Sequence, residues 1–391
     1  MQIEELRHQV VAKIDEQATR LREIALTLHA NPETGGQEFL AQRVLTEYAS
    51  EQGFTVTKGV ADIPTSFVAD YRHGNGAKVA FLAEYDALPE LGHACGHNLI
   101  AMASTAAAVG LAEVLDQVEG QVTLFGTPAE ETNGAKVVMA AAGLFNGYDA
   151  AMIVHPGART RVYAQSLAID ALEFTFLGKP AHAAAVPHEG INALDGVISL
   201  FNNINALREH LTSDVRIHGI ITEGGVAPNI VPERAVARFY FRAAERDYLN
   251  QVVARAKAVA EGAALATGCR LEIRNFEFSN DNMVTNKTLA DVYASHLQAL
   301  GVTDIEPPSD NKGSTDMGNV SHVAPAIHPN MSIGPKTLVS HTHEFCQAAA
   351  SPQALSAMLL AGKAMALSGL DVLINKDLRQ QIRAEFAAGL G

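Results

Sequence analysis

Apolar positions near the N-terminus fall at Ile3, Leu6, Val10, Ile14, Leu21, Ile24 and Leu28, with charged residues between them. That spacing predicts an amphipathic helix over 2–29, ended by His29-Ala30-Asn31-Pro32. A second helical pattern covers about 37–52 and stops at Gly53, and short strands are expected at 54–56 and 66–71. The pattern then changes. Largely apolar segments at 78–83, 121–125 and 150–154, read as buried strands, alternate with helical stretches at about 98–115 and 134–142. Strands that are apolar on both faces belong inside a sheet covered by helices, so the expectation is an α/β domain with a central, mostly parallel sheet.

From Leu167 onward the order becomes strand (168–177), helix (191–210), strand (215–223), strand (235–243), helix (247–267) and strand (270–276). This βαββαβ order reads as a ferredoxin-like unit. A helix (287–300), an apolar strand (326–333) and helices from Ser351 then resume the first pattern. The predicted organisation is a catalytic domain of 1–166 and 281–391 with an inserted domain of 167–280. A chain of 391 residues is long enough for two cores.

Composition narrows the partners. No charge-free apolar run reaches 18 residues and the first helix is studded with charge, so neither a membrane span nor a leader is expected. Cys95, Cys269 and Cys346 are scattered, which suits a reducing, cytoplasmic setting. A net charge of −14 without a basic patch argues against nucleic acid or an anionic membrane and for a small-molecule substrate.

The chemistry gathers after the strands, where ligands collect in such sheets. The first strand runs into Glu84-Tyr85-Asp86 and then Gly92-His93-Ala94-Cys95-Gly96-His97-Asn98; the second into Thr127-Pro128-Ala129-Glu130-Glu131; the third into His155-Pro156-Gly157. Each segment alone has an ordinary reading: a core cysteine, surface histidines, a solvated acid pair. Together they put thiol, imidazole and carboxylate at neighbouring strand ends, the donor set of a divalent metal site. Glu130-Glu131 offers one carboxylate as ligand and one as proton acceptor. Histidines at 8, 29, 73, 188, 210, 218, 322 and 328 sit in no motif and are read as structural.

These motifs, with Gly178-Lys179-Pro180-Ala181-His182-Ala183, Gly225 through Pro232 and Ser340-His341-Thr342, fall in an order that resembles the aminoacylase-like metallopeptidase family. The similarity is to its amidohydrolase branch of hippurate, indoleacetyl-amino-acid and aminobenzoyl-glutamate hydrolases. The resemblance implies that Cys95, His97, Glu131, His155 and His341 hold two divalent ions, zinc first with manganese or cobalt as alternatives. Glu130 would be the general base, and Asp86 would hold the architecture of the site. His182 would reach the neighbouring subunit's site in a homodimer and stabilise the oxyanion. Asn229, Arg242, Gly313 and Ser314 would bind substrate.

Asn98 stands where most of the branch has aspartate, Thr342-His343 where it has Ser-Pro, and Glu84 where other branches have histidine. The first two departures resemble the aminoacylase-1-like-2 subgroup, whose animal members resemble dipeptidases for β-alanyl and γ-aminobutyryl dipeptides of basic amino acids. The implied reaction is metal-dependent hydrolysis of an N-acyl amino acid or small dipeptide. An aminopeptidase requiring a free amine and a catalytically silent binding protein are the competing readings, and the intact Glu130 speaks against the second.

Overall fold

The computed structural model describes residues 2–308 and 313–389. The chain divides into two compact units, Met1–Gln165 with Met283–Gly391, and Ser166–Asn282. The first unit begins with helices α1 (Gln2–Ala30) and α2 (Phe39–Glu51), then strands β1 (Thr55–Lys58), β2 (Phe67–His73) and β3 (Ala77–Ala83). Helix α3 (His97–Ala112), β4 (Gly120–Gly126), α4 (Ala135–Ala141) and the short strands β5 (Ala150–Met152), β6 (His155–Gly157) and β7 (Thr160–Arg161) follow.

The second unit consists of β8 (Ala168–Leu177), α5 (Ala193–Arg208), β9 (Arg216–Glu223), β10 (Arg234–Ala243), α6 (Arg246–Thr267) and β11 (Arg270–Asn275). Its sheet has the order β11-β8-β10-β9 and is antiparallel throughout. Alternation divides the faces. Leu172, Phe174 and Phe176 of β8 and Ala237, Phe239 and Phe241 of β10 pack with Val197, Leu200 and Ile204 of α5 and Leu249 and Val252 of α6. The opposite face carries Glu173, held by Arg238 at 2.8 Å and Arg274 at 2.7 Å.

The first unit resumes with α7 (Lys287–Ala299), β12 (Ile305–Glu306), α8 (Met317–Ser321), β13 (Ala326–Ile327), β14 (Asn330–Ser332), α9 (His343–Ala348), α10 (Pro352–Ile374) and α11 (Lys376–Gly389). Its main sheet runs β1-β2-β4-β3-β5-β13. The sheet is mixed: β4, β3, β5 and β13 run parallel, in keeping with the expected mostly parallel sheet, while β1 and β2 add antiparallel pairings at one edge. Only the strands joined through helices can lie parallel; the short link between β1 and β2 folds back on itself. Val79 and Phe81 of β3 face the cluster made by α1, α3 and α10, whereas Ala80 and Leu82 face Met139 of α4 and Met317 and Val320 of α8. Helix α3 is buried along its whole length. Helix α10 is the one described helix long and apolar enough to cross a membrane, and 78% of its apolar window is buried inside the structure.

The structure corrects the expected strands 150–154 and 326–333. The first ends at Met152, with a new short strand β6 after it, and the second splits into β13 and β14. β5 pairs with β13 in the main sheet, and β6 pairs with β14 in a separate small sheet of order β12-β7-β14-β6. The two strands leave the main sheet together, since the pairs Met152↔Ile327 and His155↔Asn330 keep one register. Pro329 has no N–H with which to continue the ladder, and its carbonyl instead accepts His155 N at 2.8 Å.

Candidate metal centre

Adjacent strands aim the site. Ala83 of β3 lies opposite Gly126 of β4, and Thr127 N donates to Ala83 O at 2.8 Å. Glu84 to Asp86 and Thr127 to Glu131 therefore emerge side by side, with His155 just past β5 on the other flank of β3. Gly96, at φ 79°, turns the Cys95 loop into α3, and a Cβ there would meet Pro156 Cγ at 2.5 Å. Only glycine lets the backbone come that close to the strand carrying His155.

Asp86 organises two donors at once. Its Oδ1 accepts from His97 Nδ1 at 2.9 Å and its Oδ2 from Glu131 N at 3.0 Å. A proton on His97 Nδ1 leaves Nε2 with its lone pair, and that buried Nε2 makes no hydrogen bond in the protein. His155 is turned in the same manner, with Nδ1 2.7 Å from Pro156 O and Nε2 3.3 Å from Cys95 Sγ. His341, at φ 63°, donates its backbone N–H to Ala94 O at 2.9 Å and places Nε2 3.1 Å from Glu131 Oε1.

Three overlapping groups, Cys95–His97–His155, Cys95–Glu131–His341 and His97–Glu130–Glu131, each have their donor atoms within 4.8 Å of one another. Burial pushes the Cys95 thiol well above its ordinary range. Burial also raises the Glu130 carboxyl well above its ordinary range, reinforced by the charges of Glu84 and Asp316.

Beside this cluster lies a second that sequence reasoning did not find. Lys136 of α4 is fully buried, with Nζ 2.7 Å from Glu84 Oε1 and 2.6 Å from Asp316 Oδ1. Its backbone N–H donates to Asp316 Oδ2 at 3.2 Å. Burial alone would push the Glu84 carboxyl up, but the Lys136 ammonium holds it well below the usual carboxylate range. The far oxygen of Glu84 is 3.6 Å from His97 Nε2. Asp316, just before α8, makes no side-chain cap bond; its carboxylate serves Lys136. The signal available in the sequence was a single lysine in the otherwise uncharged stretch 132–148.

His328, read as structural, is buried with its ring 5.8 Å from that of His155. Asn98 donates to Ala25 O and Ala349 O, both at 3.2 Å, and so ties α3 to its neighbours. His93 Nε2 lies 3.1 Å from Leu28 O and anchors the loop from behind.

The remaining expected residues lie elsewhere. His182, Asn229 and Arg242 belong to the second unit. His182 and Asn229 are exposed and on facing loops, with Ala183 N donating to Asn229 O at 3.0 Å. Arg242 sits on β10 with its guanidinium 6.0 Å from the Tyr240 ring centre. Gly313 and Ser314 precede α8 in the first unit, Gly313 exposed and Ser314 half-buried.

Sulfur, nitrogen and oxygen donors converging at these distances, with His97 Nε2 buried and unbonded, fit a pair of divalent ions. Similarity to known proteins agrees. The profile of peptidase family M20/M25/M40 matches residues 80–361. An Xaa-Arg dipeptidase of Mus musculus is 37% identical over 405 aligned residues, covering 100% of this chain and 94% of the relative. Two solved structures share the fold. One is an aminobenzoyl-glutamate utilization protein of Klebsiella pneumoniae, with TM-score 0.74, 20% identity, and 93% of this chain and 98% of that chain covered. The other is a dinuclear metal-binding peptidase from Bacillus subtilis, with TM-score 0.69, 20% identity, and coverage of 92% and 99%. The dinuclear His, Glu and Cys site and these similarities lead to one conclusion: the chain belongs to peptidase family M20/M25/M40 and is a metal-dependent hydrolase of an amide or peptide bond in a small N-acyl amino acid or dipeptide.

Proposed function

We propose that Cys95, His97, Glu131, His155 and His341 hold two divalent ions, zinc by preference, and that Glu130 is the general base for hydrolysis of a dipeptide with a basic C-terminal residue. The observation that carries this reading is Asp86, which bonds His97 Nδ1 and Glu131 N together and so orients two donors, with Glu130 close beside them. The chemistry supplied by such an ion pair is acidification of water and polarisation of the scissile carbonyl. Glu130 takes the proton of the attacking water and passes it to the leaving amine nitrogen. The buried thiol among nitrogen and oxygen donors favours zinc over harder ions. The basic C-terminal residue comes from similarity to the Xaa-Arg dipeptidase.

The second unit we read as a ferredoxin-like domain that dimerises and covers the site. Its outer strand β9 carries Ile220 at 63% and Ile221 at 44% exposure, an edge of the kind that proteins pair or cover. In the homodimer His182 stabilises the tetrahedral oxyanion in the partner's site, while Asn229, Arg242, Gly313 and Ser314 bind substrate. An amide and a guanidinium are apt for the substrate carboxylate. The scattered free thiols support a cytoplasmic enzyme.

The test combines elemental analysis, chelation and a panel of free and N-acetylated dipeptides ending in Arg, Lys, Leu or Asp. The expected result is about two zinc ions per chain, activity lost on chelation and restored by zinc, and preference for the basic C-terminus. Hydrolysis that needs a free amine selects the aminopeptidase reading, and no turnover with bound metal selects the silent protein. Mixing His182→Ala with Glu130→Gln chains should restore part of the activity. Subunit exchange without recovery removes the role of His182 across the dimer.

A further inference from the structure

The Glu130 turn contains a strained residue, and that residue is held from outside. Ala129 has φ 61°, a left-handed conformation that disfavours any side chain with a Cβ. On its carbonyl side the turn closes itself, because Ala129 O accepts Gly134 N at 2.7 Å and Thr132 N at 3.2 Å. On its amide side the partner is remote in sequence. Ala129 N donates to Glu38 Oε1 at 2.8 Å.

Glu38 is 0% exposed and stands at the start of α2 without capping it; the cap is Glu33, whose carboxylate takes Leu40 N at 3.0 Å and Ala41 N at 2.9 Å. The segment between them lies against the site loops. Ala87 N donates to Glu33 O at 2.8 Å, and a Cβ on Gly35 would come 2.3 Å from Thr132 Oγ1. The Glu38 carboxyl also interacts with the Thr65 side chain and the Gly36 backbone, yet burial still pushes it above its ordinary range, so holding it here carries a stability cost.

We propose that Glu38 is a positioning residue for the hydrolysis: by accepting the Ala129 N–H it keeps Ala129 left-handed and fixes the direction in which Glu130 leaves the turn. This rests on Glu130 being the base. Were Ala129 to relax to negative φ, the chain direction at Glu130 would change and its carboxylate would swing away from the donors it now adjoins.

The experiment compares Glu38→Met, Glu38→Gln, Glu38→Met/Ala129→Gly and Glu130→Gln, reading kcat, KM, bound metal and the melting temperature of metal-free protein. Glu38→Met keeps the volume and removes the acceptor, so kcat should fall roughly 10- to 100-fold with KM and metal content unchanged. Glu38→Gln keeps an acceptor oxygen and should recover most of the loss. Glycine adopts positive φ without strain, so Ala129→Gly in the Glu38→Met background should also recover activity.

An unchanged kcat in Glu38→Met, or a loss that neither Gln nor the added glycine repairs, overturns the proposal. If Glu38→Met does not fold, Glu38→Asp, whose oxygen falls short of the Ala129 N–H, replaces it, and normal kcat there is equally fatal. Normal turnover in Glu130→Gln instead overturns the base assignment, and this inference falls with it.

Discussion

Two clusters of buried polar groups lie next to each other at the carboxyl ends of the same strands, and they are built on opposite principles. In one, Lys136 stands between Glu84 and Asp316 at 2.7 and 2.6 Å, so that each charge meets an opposite charge from the chain itself. In the other, a ring nitrogen is left open: His97 Nε2 is buried without a hydrogen bond, close to Cys95 Sγ and His155, which bond each other at 3.3 Å. Leaving polar atoms unmet in the interior costs stability unless something outside the chain completes them. The contrast separates charge that builds the protein from donors held open for a ligand, and His97 marks the border between the two, 3.6 Å from Glu84.

The largest expected effect belongs to the open cluster. Glu130→Gln should keep its metal and lose about 10² to 10⁴ in kcat or more, and a stopped assay with metal analysis of the same preparation checks both halves. The closed cluster should answer in stability instead. Lys136→Met leaves two buried carboxylates without their cation and should cost about 3–5 kcal/mol in denaturant unfolding of metal-free protein. If that variant kept its stability and lost only metal, the two clusters would be one.

Asp86→Asn sharpens the border from the other side. An amide can still accept from His97, but its NH₂ group then faces Glu131 N–H, donor against donor. Metal affinity should drop about 10- to 100-fold, read by competition with a chelator of known affinity.

The smallest effect is expected at a half-exposed counterpart of the Lys136 cluster. Asp371 on α10 accepts His296 Nε2 at 2.7 Å and Arg7 at 2.9 Å, joining α10 to α7 and α1. Burial pushes its carboxyl up, but the hydrogen bonds from His296 and Arg7 outweigh that and lower it. A lowered carboxyl contributes stability that is fully present above its unfolded-state range and is lost as pH falls through its folded value. Asp371→Asn should therefore lower the melting temperature by the equivalent of about 1–3 kcal/mol near neutrality, and the gap to the natural protein should close on acidification.

Much of this protein is written in local patterns. The apolar runs of β3, β4 and β5 declare strands covered on both faces, because a strand with no polar side can rest only between helices. The residues that follow those runs, Glu84 to Asp86, Glu130-Glu131 and His155, are set by chain direction at the ends of parallel neighbours, so their convergence is legible in the sequence. The Cys95-Gly96-His97 spacing and the glycine at φ 79° are likewise local properties.

What the sequence could not carry is pairing across distance. Lys136 meets Asp316 across 180 positions, Glu38 meets Ala129 across 91, and the joint departure of β5 and β13 from the main sheet depends on two strands breaking at the same level. Periodicity states whether a side chain is buried but not what it is buried against. A lone lysine in an apolar stretch, or a glutamate at a helix entrance, has the same local signature whether it is solvated or neutralised. Only the packing of the sheet and its two helical layers decides which charges are driven together, because in the interior each must find a partner and the nearest one in space is seldom the nearest in the chain.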